Sequence, residues 1–150
     1  MVGRLHEKVA LVVGAGSVGP GWGNGKAAAV LFAREGAKVL CVDVNEDAAN
    51  ETVHIIRQEG GACNAICADV TSHDDIRRMV KGCTDVYGRI DVVDYNVGLA
   101  HVGGVVELPE EAWDRIFAGN LKGCYLTMKL PNMARATSRK CGRFVTLSAR

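Results

Sequence analysis

Residues 8–36 read KVALVVGAGSVGPGWGNGKAAAVLFAREG, and the three parts of this stretch decide the fold. KVALVVG (8–14) is short, valine-rich and unbroken by polar residues, the pattern of a strand buried on both faces. GAGSVGPGWGNG (14–25) has glycine at every second or third place. NGKAAAVLFAREG then reads as a helix, with alanines 27–29 small enough to pack tightly on a sheet. The first turn of a helix carries unpaired N–H groups and about half a positive charge, so it attracts anions. Glycines ahead of it let backbone amides approach a phosphate with no Cβ in the way.

Outward from this unit the same alternation repeats. AKVLCVD (37–43), ACNAICADV (62–70), RIDVVDYNVG (89–98) and GRFVTLS (142–148) are further short runs, bounded by Gly, Asp or Asn, and read as strands. Helical patterns lie between them. In 46–59 the apolar stripe is Ala49, Val53 and Ile56; in 73–87 it is Ile76, Met79, Val80, Cys83 and Tyr87. Ser72 is the expected N-cap of the latter, with Asp75 three places on as a relative of the capping box. In 110–134, Trp113, Ile116, Phe117, Leu121 and Cys124 share a helical face, and Gly119, Gly123 and Pro131 loosen that helix. Strands alternating with helices demand right-handed crossovers and a parallel sheet covered on both sides. The expected fold is a doubly wound, three-layer α/β/α domain over residues 1–150.

Composition narrows the function classes. The chain is 48% hydrophobic and 23% charged, the balance of a globular domain. A net charge of +1, with the charges dispersed, gives no electrostatic reason to expect nucleic acid or an anionic membrane as a partner. No stretch approaches the ~20 apolar residues of a membrane span. The six cysteines form no CxxC pair and sit among apolar neighbours, so buried reduced thiols are expected, with no metal site and a cytoplasmic location.

Asp43 ends the second strand, where a carboxylate can accept hydrogen bonds from both hydroxyls of an adenosine ribose. With this residue in place, the chain resembles the short-chain dehydrogenase/reductase family along its whole length. The family pattern is Thr-Gly-x-x-x-Gly-x-Gly. Here Val13 replaces the threonine, Gly14 follows, and the later pair is Gly23-Asn24-Gly25, with about five residues (18–22) inserted. Asp69-Val70 stands where the third strand's end touches the adenine ring, and Asn96-Val97-Gly98 resembles the end of the Asn-Asn-Ala-Gly motif. Asn120, within AGNLKG, matches the helix asparagine that holds a water in the family's proton relay, and GRFVTLS resembles the strand leading to the catalytic serine.

The resemblance implies a Rossmann-like sheet of order 3-2-1-4-5, incomplete at its C-terminal side, and hydride transfer between a nicotinamide and an alcohol or carbonyl carbon. The implied cofactor-binding residues are Gly14, Gly16, Ser17, Gly23, Asn24, Gly25, Asp43, Asp69, Val70, Asn96, Val97 and Gly98; the implied catalytic residues are Asn120 and Ser148. On the family's Ser-Ser ending, Ser148 takes the first serine and Ala149 the second, the usual catalytic one. The family's tyrosine and lysine normally follow that strand, and this sequence stops at Arg150, so catalysis by the chain alone is not expected. Tyr125 and Lys129 have the Tyr-x-x-x-Lys spacing, but in this alignment Tyr125 is a packing aromatic.

Val44 and Asn45 follow Asp43, and a carboxylate would repel a 2′-phosphate, so NAD(H) is expected over NADP(H). Lys26 is the one nearby cation that would weaken the preference. Trp22, in the inserted loop, is a candidate cover for the cofactor. Asp94 in the fourth strand replaces an aliphatic residue of the family, and Tyr95 replaces the first asparagine of the motif. The 110–134 helix is the expected surface for a homo-oligomer. The alternative expectation is a truncated or degenerate non-catalytic module that binds NAD or another subunit. A methyltransferase also carries a glycine loop after its first strand, but Asn96-Val97-Gly98 and Asn120 in their places argue against one.

Overall fold

The computed structural model describes residues 3–135. Four strands, β1 (Val9–Val13), β2 (Lys38–Asp43), β3 (Cys63–Cys67) and β4 (Val92–Tyr95), form one parallel sheet in the order β3-β2-β1-β4. Helices α1 (Asn24–Arg34), α2 (Glu46–Gln58) and α3 (His73–Tyr87) make the crossovers; α4 (Glu110–Phe117) and α5 (Cys124–Arg135) follow β4. The doubly wound fold is as expected, with the first four strands in the expected order. The run 142–148, expected as the fifth strand, lies outside the described residues, as do Ser148 and Cys141.

β1 is buried at all five positions, which is why its sequence shows no alternation. Its residues divide between two cores. Leu11 and Val13 face Ile76, Met79 and Cys83 of α3; Ala10 and Val12 face Ala29 and Val30 of α1 and Ile56 of α2. The stripes expected on α2 and α3 are buried at Ala49, Val53 and Ile56 and at Ile76, Met79, Val80 and Cys83, while Tyr87 is partly buried against the same core. Asn45 caps α2 by accepting from the Asp47 and Ala48 amides, and Ser72 caps α3 by accepting from Asp75 N at 3.3 Å. Asp75 does not close the box onto Ser72; its carboxylate accepts from Asp69 N at 2.9 Å and so secures the end of the β3–α3 turn.

Two expectations are corrected. Cys67 is exposed, because it ends β3, an outer strand of the sheet, and Cys124 is half-buried, whereas Cys41, Cys63 and Cys83 are buried. The segment 110–134, expected as one loosened helix, is not a single α-helix. It runs as α4, a π-helical segment Ala118–Gly123, and α5. Trp113, Phe117 and Leu121 lie exposed, and the buried positions are Gly119, Gly123, Thr127 and Pro131, a stripe of smaller residues at four-residue spacing. The glycines are there for contact: a Cβ on Gly123 would lie 2.7 Å from both the Tyr95 hydroxyl and the Val70 carbonyl.

Candidate functional site

The chain leaves β1 toward β2 on one side and later returns to β4 on the other, so β1 and β4 stay paired to their ends, Val13 beside Tyr95, while the order of the strands reverses between them. Open α/β sheets take ligands at such a switch point. Gly14 and Asn96 meet there. Asn96 N donates to the Val13 carbonyl at 2.7 Å, while Gly14 N and Ala15 N both donate to the Val42 carbonyl. Gly14 has φ +80°, and a Cβ on it would lie 3.0 Å from the Asn96 carbonyl carbon. Gly25 is more tightly constrained, since its Cβ would fall 1.8 Å from the Gly14 carbonyl oxygen. Glycine at both positions is therefore what lets α1 begin directly against the end of β1.

Asp43 anchors the other side of the loop. Its Oδ2 accepts from Gly16 N at 2.9 Å and its Oδ1 from Asn45 N at 3.0 Å, which leaves the carboxylate partly exposed and fixed in direction. Gly16 has no room for a side chain, because a Cβ would meet Ala48 Cβ at 2.6 Å and Asp43 Oδ2 at 2.9 Å. Ser17 Oγ accepts from Gly23 N at 2.9 Å and donates to the Gly21 carbonyl at 3.1 Å, closing the inserted loop into a ring. Thr52, fully buried in α2, donates to the Ala15 carbonyl at 2.7 Å. Nothing in the sequence marks Thr52, because its partner is 37 positions away.

The start of α1 differs electrostatically from the starts of α2, α3 and α4. α2, α3 and α4 each carry two acidic residues in their first turn, and α2 and α3 are capped by a side chain. α1 has neither a side-chain cap nor an acidic residue in its first turn. Its amides of Asn24, Gly25 and Lys26 have no acceptor within the helix, and its positive end is not neutralised locally. Lys26 does not face this opening. Its side chain is 1% exposed, and its Nζ pairs with Glu51 Oε1 at 2.9 Å and donates to the Gly21 carbonyl at 3.2 Å. Burial and pairing were not legible in the sequence.

The remaining candidates lie along the same end of the sheet. Asp69 is exposed, with Oδ1 accepting from the Thr71 amide and hydroxyl, each at 2.8 Å, and Val70 is buried in the core beside it. Val97 packs against that core and Gly98 is exposed. Asn120 sits within the π-helical segment, and its side chain clasps one residue of the β4–α4 connection: Oδ1 accepts from Leu99 N at 2.7 Å and Nδ2 donates to Leu99 O at 2.8 Å. Tyr95 supports this segment from below, donating its hydroxyl to the Gly119 carbonyl at 2.5 Å. This bond ties the end of β4 to the π-helical segment. Burial pushes the Tyr95 phenol well above its ordinary value, so it remains a donor. Tyr125, by contrast, is exposed on α5, with the Lys129 ammonium over its ring at 5.2 Å.

Asp94 in β4 and Asn96, the residue after β4, are two positions apart along the chain and both buried. Asp94 is fully buried, and neither of its oxygens has a hydrogen-bonding partner among the described residues; Asn96 Nδ2 is likewise unpartnered there. Burial raises the Asp94 pKa, and the nearby Asn96 amide offsets this only in part, since no bond of normal geometry joins the two.

A parallel sheet with a glycine-walled first crossover, an uncapped α1 and a carboxylate at the end of β2 defines the doubly wound α/β class, whose members take ligands at the strand-order switch. Comparison with known proteins narrows the class. The family described as short chain dehydrogenase matches residues 8–150, and the chain belongs to it. An uncharacterized oxidoreductase of Thermotoga maritima is 40% identical over 126 residues, covering 84% of this chain and 47% of that protein. A Burkholderia xenovorans structure assigned to the short-chain dehydrogenases/reductases superposes with a TM-score of 0.90 at 39% identity, over 96% of this chain and 57% of that one. A 7α-hydroxysteroid dehydrogenase solved with NADH and 7-oxo glycochenodeoxycholic acid gives 0.86 at 28% identity, over 96% and 54%. The chain spans about half the length of the curated relatives it matches.

Proposed function

We propose that this chain is the cofactor-binding part of an NAD(H)-dependent oxidoreductase of the short-chain type, acting on an alcohol or carbonyl compound. When bound, the nicotinamide would supply or accept the hydride. The chain's own residues would bind and orient it. The amides at the start of α1, reached through Gly14, Gly16, Ser17, Gly23, Asn24 and Gly25, would hold the diphosphate, and Asp43 the adenosine ribose. Asp69 and Val70 would border the adenine, and Asn96, Val97 and Gly98 would line the crevice toward the nicotinamide. Asn120, its side chain spent on Leu99, would act from the π-helical segment by fixing the wall of the reaction site. Ser148 is proposed from the sequence alone.

The observation that carries the cofactor preference is the pairing of an available Asp43 carboxylate with an unavailable Lys26. A 2′-phosphate would meet the first without compensation from the second, which is buried against Glu51. The relative solved with NADH supports the nicotinamide reading. Calorimetric titration tests it: NADH should bind and NADPH should bind at least about tenfold more weakly, a difference of ~1.4 kcal/mol. Replacing Asp43 with Asn should narrow that gap. Absence of binding by either nucleotide at millimolar concentration would refute the proposal. A non-catalytic module is the second reading, favoured by Asp94, which has no hydrogen-bonding partner among the described residues and stands where the family has an aliphatic residue.

The exposed row Trp113, Phe117, Leu121 and Tyr125 supports an oligomer formed through α4 and α5. Trp113 and Phe117 are already stacked, with ring centroids 4.4 Å apart, presenting a preformed aromatic surface to a second copy.

A further inference from the structure

A fully buried lysine ammonium needs a reason, because removing a charge from water costs several kcal/mol unless it is paired and hydrogen-bonded. Lys26 is such a residue, in the first turn of the helix whose amides form the proposed diphosphate site. Its pairing with Glu51 answers the charge. Its second bond is less expected: Nζ reaches back 5 positions to the Gly21 carbonyl, 3.2 Å away, in the middle of the inserted loop. That carbonyl also accepts from the Ser17 hydroxyl at 3.1 Å, and Ser17 Oγ in turn accepts from Gly23 N at 2.9 Å. Trp22 is thus held between two fixed points, the Gly21 carbonyl on one side and the Gly23 amide on the other.

The consequence is a paradox of order and exposure. The backbone of the loop tip is pinned by three hydrogen bonds, yet the indole of Trp22 remains 61% exposed and Val18 is fully exposed. A Cβ added to Gly19 or Gly21 would meet nothing within 4 Å, so the loop is not packed against the domain at these positions. The loop tip is therefore held by these bonds and not by packing at Gly19 or Gly21, which leaves its exposed indole free to meet a ligand.

The geometry points to Lys26 as a positioning residue that acts through Gly21 to hold Trp22 as a cover over the dinucleotide bound at the start of α1. The inference rests on the NAD(H) reading above and extends it: the inserted loop contributes affinity, and Lys26 sets its position without touching the cofactor. Pre-ordering the loop removes an entropic cost that binding would otherwise meet. Glu51 anchors the lysine from α2, so it belongs to the same device.

The test is calorimetric titration of NADH into the full chain and its variants, with tryptophan fluorescence alongside. Trp113→Phe leaves Trp22 as the single indole. In that background NADH should quench the emission, and adding Lys26→Met should remove most of the quenching at saturation. Lys26→Met and Trp22→Ala should each weaken NADH about three- to tenfold, the cost of ordering one or two side chains. The double variant should be no weaker than the stronger single effect, because both act through one loop. Lys26→Arg should restore part of the loss. A merely structural lysine would lower the melting temperature and leave both affinity and quenching unchanged, and that result overturns the inference. Should Lys26→Met fail to fold, the exposed Trp22→Ala decides alone: unaltered NADH affinity sinks the cover. Wild-type chain that binds NADH while its variants bind equally well removes this inference only. Wild-type chain that does not bind NADH removes the NAD(H) reading and the cover together.

Discussion

Asp94 and the glycines of the first crossover show how much a single position can weigh. A buried carboxylate with both oxygens unpartnered among the described residues is a net cost, so Asp94→Val should stabilise the chain by about 1–3 kcal/mol at neutral pH, read from urea unfolding. The pH dependence has a definite sign. Burial raises the folded-state pKa of Asp94 above the unfolded value of about 3.9, so the folded chain holds this proton to higher pH than the unfolded chain does. Its contribution to stability is therefore full below the unfolded pKa and is lost as pH rises through the folded one. The stability of wild type minus that of Asp94→Asn should fall across that window and level off above it; a flat difference would show that Asp94 is solvated or paired. Among the glycines, Gly25→Ala should cost at least about 1–3 kcal/mol, since its methyl meets the backbone oxygen of Gly14, which cannot move without shifting β1. Gly19→Ala, in open space, should be nearly neutral. The sequence shows both as glycines in one loop, and only the neighbours separate them.

At the scale of elements, the strands and the first three helices follow from local pattern, and the segment after β4 does not. Valine-rich runs without alternation give β1 and β2 because both faces of the inner strands are covered. Periodicity gives α2 and α3 because each lays one stripe on the sheet. In 110–134 periodicity picks out a shared apolar face but not its burial: Trp113, Phe117 and Leu121 stay exposed, Cys124 packs partly on the core, and Gly119, Gly123, Thr127 and Pro131 are the buried positions. Close approach to β4 and to the Val70 carbonyl selects small residues there, and hydrophobicity carries no information about closeness. Tyr95 completes that contact, so Tyr95→Phe should remove the bond to the Gly119 carbonyl and cost about 0.5–1.5 kcal/mol. Faster amide exchange confined to 118–123 would place the loss at the π-helical segment, and unchanged stability would show that the hydroxyl is dispensable.

For the whole molecule, the distribution of surface matters most. The described residues include no helix long and apolar enough to cross a membrane. They do include an apolar row on α4 and α5 that a lone domain would leave in water. Sedimentation should find the chain as an oligomer at micromolar concentration, and Leu121→Arg should shift it to monomer without changing its circular dichroism. A monomeric wild type would show that this face has another role.

Local order in the sequence was enough to determine the alternation of strands and helices, the parallel sheet, the family, and the glycine loop with Asp43 at its side. Those features are set by patterns within about one element's length, where periodicity and turn chemistry act directly. Tertiary structure alone decided that Lys26 is buried against Glu51, that Thr52 holds Ala15, that Tyr95 braces the π-helical segment and that Asp94 has no partner among the described residues. Each of these depends on which distant segment the fold brings alongside, and a residue's type states what it can bond but not what it will meet.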